Sequence, residues 1–208
     1  MSKRILLAGL LGGIAMFLWS SLAHVALPLG ETGVQEIPNE QPVLGAMQTT
    51  IGNRSGLYLF PGIGVGPDAT RQQRNAAMQQ YQEKLNNNPS GLLLYHPPGA
   101  QALTSRQLIT EFLTELAESL LVIFLLAHTW LTSFGSRVWF VTLAGIMAAI
   151  TTNVPYWNWY GFPTNYTISY MSVEIVGYIV VGIVAALMLR RSSAAVQSAA
   201  LRYILSKR

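Results

Sequence analysis

Residues 105–131 read SRQLITEFLTELAESLLVIFLLAHTWL, and the architecture turns on how this stretch is understood. Thr104, Ser105, Arg106 and Gln107 match a capping box, so a helix is expected to start near Ser105. Its second half is continuously apolar and long enough, with the first, to cross about 30 Å of hydrocarbon at about 1.5 Å per residue. Its first half carries Glu111, Glu115 and Glu118. At about 100° per residue these fall near 0°, 40° and 340°, on one stripe. Three like charges on one helix face repel, so a partner, a proton or a cation has to relieve them.

The rest of the chain supplies the setting. Of 208 residues, 51% are hydrophobic and 11% charged, where a soluble domain carries about a quarter charged. Apolar stretches run approximately from Ile5 to Leu27, Phe112 to Leu131, Val138 to Val154 and Ile168 to Leu189. The sequence therefore predicts a mainly α integral membrane protein. It is a four-transmembrane-helix bundle with a small α+β extracytoplasmic domain between helices 1 and 2. The expected segments are 1–27 (first span), 28–104 (outer domain), 105–132, 138–154 and 168–189 (further spans), 155–167 (aromatic outer loop) and 190–208 (basic cytoplasmic tail).

The first span has the basic start (Lys3, Arg4) and apolar body of a signal peptide, with Ser21-Leu22-Ala23 as a passable cleavage site. Its length favours an uncleaved anchor. Arg137 lies in the turn between the second and third spans, and Arg190, Arg191, Arg202, Lys207 and Arg208 follow the fourth. With four spans these basic residues share one side, which the positive-inside rule makes cytoplasmic. Both termini are then inside, in an inner or plasma membrane. Trp157, Trp159, Tyr160 and Tyr166 read as an outer interfacial belt, and the tail after Arg191 as a short surface helix near anionic headgroups.

The net charge of +4 is explained by these helix ends rather than by a nucleic-acid-binding stripe, so no nucleic acid is expected. The absence of cysteine excludes disulfides, thiolate metal sites and thiol catalysis. No GxGxxG, Walker, HExxH or GxSxG motif occurs, and no cofactor is implied. Asn53 and Asn165 stand in glycosylation sequons on the outer side.

Between the first two spans, Asn39-Glu40-Gln41-Pro42 predicts a helix to about Thr50, and Asp68 is expected to cap a polar helix from Ala69 to about Leu85. The runs from Ser55 to Gly62 and from Ser90 to Gly99 read as two short strands. With one helix between them they are expected to form a βαβ-like unit.

Counting inward from the cytoplasmic ends places Glu115 about 3 Å, and Glu118 and Glu174 about 7 Å, below the outer boundary. Asn153 falls at a similar level, with His24 near the boundary. The sequence thus predicts an outward-opening polar pocket formed by Glu115, Glu118, Glu174 and Asn153, with His24 and Glu111 at its mouth. A hard cation is the metal this ligand set would suit. His128 reads as an inner interface residue and His96 as a turn residue. Gly9 and Gly13 form a small-xxx-small pair expected, with the outer domain, to meet a protein partner or a second copy. The favoured function is a scaffold or accessory subunit of an envelope complex. The alternatives are a cation-coupled transporter and a membrane-embedded enzyme acting on a lipid or quinone at the outer leaflet.

Overall fold

The structure, a computed structural model, describes residues 3–189; the expected surface helix in the tail lies outside the described residues. The chain is mainly helical with one small sheet. In order come α1 (Lys3–Val25), α2 (Gln41–Ile51), β1 (Gly56–Phe60), α3 (Arg71–Asn87), β2 (Gly91–Tyr95), α4 (Ser105–Ala127), α5 (Phe134–Tyr160) and α6 (Thr164–Met188), with a 3-10 turn at Leu29–Glu31. Two compact units result: residues 35–102, and the long helices together with the segment up to Val34.

Three helices, α1, α5 and α6, are long and apolar enough to cross a membrane. The α4 helix equals α1 in length, at 23 residues, but dilutes its apolar surface with Arg106 and three glutamates. It begins as the capping box dictates. Thr104 Oγ1 accepts from the Gln107 amide at 3.2 Å, and Gln107 Oε1 accepts from the Thr104 amide at 2.8 Å.

Close packing of α1 on α4 comes from missing side chains. A Cβ at Gly13 would lie 2.7 Å from Leu116 Cα, and one at Gly9 3.2 Å from Leu120 Cα. The backbones therefore approach closely enough for Ser119 Oγ to donate to the Gly9 carbonyl at 3.0 Å. The Gly9/Gly13 face, expected to meet a partner, is filled here by α4 of the same chain. Glycine serves α5 and α6 in the same way, where Gly145 seats Tyr178 and Gly182 lies under Val138.

At the end where α5 begins and α6 finishes, these helices build a dry core from Val122, Ile123, Leu126, Val141, Val181 and Ala185. Arg137, expected as a basic marker of the turn, is almost fully buried there. Its guanidinium donates to the Leu131 carbonyl at 3.0 Å and to the Leu189 carbonyl at 2.8 Å. It thus closes the carbonyl end of α6, where a cation also meets the negative end of the helix dipole.

The third apolar segment extends further than expected. Rather than stopping at Val154, α5 continues through Pro155 to Tyr160, where Gly161 ends it in the left-handed conformation at φ 71°. Pro155 removes the N–H that would bond the Thr151 carbonyl, but so near the terminus this does not break the helix. The expected aromatic loop is accordingly short, and Trp157, Trp159 and Tyr160 ride on the last turn of α5.

In residues 35–102, α2 starts with Pro42 in its first turn and ends at Gly52. The cap of α3 is Thr70 rather than Asp68. Thr70 and Gln73 form a reciprocal capping box that Asp68, three residues before the helix, cannot reach. The two strands pair antiparallel, Gly56 opposite Tyr95 and Phe60 opposite Gly91, which replaces the expected βαβ arrangement. A parallel crossover needs a helix with an apolar face to lay on the sheet, and Ala77 is the one buried residue of α3. Tyr95 is buried and its hydroxyl donates to the Gly52 carbonyl at 2.9 Å, tying β2 to the end of α2.

Candidate functional site

The polar groups of the long helices collect at the end opposite the dry core, where α1 and α5 finish and α4 and α6 begin. A cavity of about 280 Å3 lies there, and all six residues expected in a polar pocket line it: His24, Glu111, Glu115, Glu118, Asn153 and Glu174. Four helices contribute. Their spacings explain the convergence: Glu111, Glu115 and Glu118 share the α4 stripe, Ser20 and His24 are one turn apart on α1, and Tyr170, Glu174 and Tyr178 follow at four-residue intervals on α6.

Each carboxylate is held differently. The Tyr178 hydroxyl donates to Glu118 Oε2 at 3.4 Å, from α6 to α4. Asn153 Nδ2 donates to Glu174 Oε2 at 3.3 Å, from α5 to α6, and to the Ala149 carbonyl at 3.0 Å. Glu111 is exposed at the rim. Glu115 is the unusual member. It is only 5% exposed, and among the described residues its Oε2 has no hydrogen-bond partner. A buried acceptor left without a donor costs about 1–3 kcal/mol, more when charged.

The sequence reading missed the aromatic and hydroxyl side of this cavity. Trp19, Ser20, Thr114 and Tyr170 also line it. The indole Nε1 of Trp19 donates to the Val173 carbonyl at 2.8 Å, fixing α1 on α6. The His24 ring stands edge-on to Tyr170 with centroids 5.9 Å apart, and its Nδ1 lies 2.8 Å from the Ser20 carbonyl. Tyr170 was the residue within reach of a sequence argument, because it precedes Glu174 by one turn.

A second cavity, also about 280 Å3, shares Thr152, Asn153 and Tyr170 with the first. Aromatic rings line it: Tyr156 lies 5.5 Å from Phe162, Phe162 lies 5.4 Å from Tyr166, and Tyr166 stacks on Tyr170 at 4.3 Å. The segment after α1 closes the same region, since Ser169 Oγ donates to the Leu29 carbonyl at 2.8 Å and the Tyr170 hydroxyl to the Gly30 carbonyl at 3.3 Å. His128 stands apart at the far end of α4, its Nδ1 2.8 Å from the Phe124 carbonyl. His96 borders a groove between α2 and β2.

Chemically, the arrangement offers several acceptors beside aromatic faces. Among the described residues no group of three or more histidine, aspartate and glutamate side chains is placed to hold a metal ion, so the hard-cation reading has no such ligand set to rest on. Among the described residues no Lys or Arg lines either cavity. Comparison with protein-family models, with curated proteins and with solved structures finds no match to this chain.

Proposed function

We propose that the chain is a four-span integral membrane protein of an inner or plasma membrane, with both termini cytoplasmic and residues 28–106 outside. It acts as an accessory or scaffold subunit of an envelope complex, with its carboxylate-lined pocket open to the outer face. The observation that carries this reading is the division of the helical unit into a polar cavity at one end and a closed apolar core at the other. A pocket blocked below by Val122, Ile123, Val141 and Val181 supports a receiving site and disfavours a transport pathway, which requires polar groups across the full thickness.

The fourth span is supported by how α4 distributes its residues. Glu115 and Glu118 face the cavity, while Leu113, Leu121 and Leu125 point outward and remain more than half exposed. Helices in lipid keep ionisable groups on the bundle interior and apolar groups outside. At about 35 Å, α4 is long enough. The outer surfaces of α1 (Leu7, Leu18, Leu22) and α5 (Trp139, Met147) are similarly exposed and apolar. They are the surfaces left for lipid and for a partner once α4 has taken the glycine face.

Photo-crosslinking in native membranes tests the assignment. A photoreactive residue at Leu18 or Met147 is expected to give one discrete protein adduct, recovered with this chain in constant ratio. Lipid adducts alone at both positions, with the chain migrating as a monomer, would remove the accessory role.

A further inference from the structure

The two adjoining cavities differ in chemistry in a way that specifies a ligand class. One presents carboxylates from two helices: Glu115 and Glu118 from α4, with Glu111 of the same helix at the rim, and Glu174 from α6. The other presents Tyr156, Phe162 and Tyr166, and Tyr170 belongs to both. We propose that together they form a binding site for an organic ammonium ion with an apolar body. The ammonium lies among Glu115, Glu118 and Glu174, and the apolar body lies along Tyr166, Tyr170 and Phe162. This deepens the receiving-site reading above and rests on it for the direction from which the ligand arrives.

Three independent observations converge. Glu115 Oε2 is a buried acceptor with no donor, and an N–H of an ammonium supplies one. Among the described residues neither cavity is lined by Lys or Arg, and His24 is the basic side chain that borders the carboxylates. A metal ion would need a converging ligand set that the described residues do not provide. An ammonium asks less of the site, because one or two acceptors and the faces of Tyr and Trp rings satisfy it. At about 280 Å3 each, the cavities are small for ligand sites, which usually measure about 300–1,000 Å3. The ligand is therefore a compact amine or the headgroup end of an aminolipid. A primary ammonium is favoured over a quaternary one because it can donate an N–H to Glu115 Oε2.

The test uses the full chain in nanodiscs and isothermal titration with 2-phenylethylammonium, its neutral isostere 2-phenylethanol and 2-phenylethyltrimethylammonium. The primary ammonium is expected to bind about tenfold or more tightly than the alcohol, as follows from one charge-assisted hydrogen bond, and more tightly than the trimethyl compound. Glu115→Gln and Glu118→Gln are each expected to weaken it about tenfold. Tyr166→Ala is expected to weaken 2-phenylethylammonium while leaving ethanolamine unchanged. Equal affinity for the ammonium and the alcohol on the unaltered protein overturns the proposal, even if the glutamate variants fail to fold. So does unchanged ammonium binding by folded Glu115→Gln and Glu118→Gln.

Nanodiscs with and without phosphatidylethanolamine distinguish the sources of the amine. Competition by the lipid assigns the site to a headgroup, and indifference to the lipid assigns it to a free amine. Ammonium binding without a protein adduct at Leu18 or Met147 keeps the site and removes the accessory role. An adduct without ammonium preference does the reverse.

Discussion

Gly13→Ala tests the contact on which the helical unit is assembled. The added Cβ would lie 2.7 Å from Leu116 Cα and 2.9 Å from its Cδ1, against an optimal carbon–carbon separation of about 3.5–4.0 Å. The first obstacle is backbone, so no side-chain rotation relieves it, and α1 and α4 must separate by about 1 Å. Overpacking of this kind costs about 1–3 kcal/mol. The same separation carries the Ser119 hydroxyl, now 3.0 Å from the Gly9 carbonyl, out of hydrogen-bonding range, at about 0.6 kcal/mol in a membrane helix pair. Alanine returns about 1 kcal/mol of helix propensity, leaving a net loss of about 0.6–2.6 kcal/mol. Reversible unfolding in mixed detergent–lipid micelles, followed by tryptophan fluorescence, measures it. Gly45→Ala is the control: a Cβ there meets nothing within 4 Å, so that variant is expected to be neutral or slightly stabilised. A Gly13→Ala protein as stable as the unaltered chain would refute the close-approach argument.

Arg137→Leu is expected to cost about 2–3 kcal/mol, because it releases the carbonyls of Leu131 and Leu189 from a charged donor; Arg137→Lys should recover only part, since one ammonium cannot copy the two-sided guanidinium contact. Both are read by the same unfolding assay. Ser119→Ala alone is expected to lose about 0.6 kcal/mol, and a loss above about 2 kcal/mol would show that the hydroxyl does more than bond the Gly9 carbonyl. Thr70→Ala should destabilise α3 by about 1 kcal/mol, visible as faster amide exchange over its first turn with no change in the long helices.

The sequence was most informative where spacing alone fixes a direction. The α4 capping box is legible from Thr104 and Gln107, and the stripe of Glu111, Glu115 and Glu118 follows from helical periodicity without knowledge of any neighbour. Depth counting along separate spans brought Asn153 and Glu174 to a similar level, with His24 near the boundary above them. What it missed depends on tertiary contact. Which helix fills the Gly9/Gly13 groove is decided by the complementary Leu116, Ser119 and Leu120 on α4, and periodicity does not name the partner of a groove. The third span was expected to end at Val154, just before Pro155, although one lost hydrogen bond near a helix end is tolerated. The aromatic wall shares only Tyr166 with the expected interfacial belt, because Tyr156, Phe162, Tyr166 and Tyr170 converge only when α5 and α6 pack side by side. The antiparallel sheet turns on the weak apolar face of α3, a feature present in the sequence but outweighed by the β-α-β order of elements.

The central claim is that α4 crosses the membrane as a fourth span and brings its carboxylates to an outward-opening cavity. Because the chain contains no cysteine, single cysteines report without background. Leu108→Cys lies near the start of α4 at an exposed position, and Gly135→Cys lies beyond its end where an added Cβ meets nothing within 4 Å. With a membrane-impermeant maleimide on right-side-out membranes, Leu108→Cys is expected to label directly and Gly135→Cys only after permeabilisation. Labelling of both from the same side would show that α4 does not cross and would contradict the account.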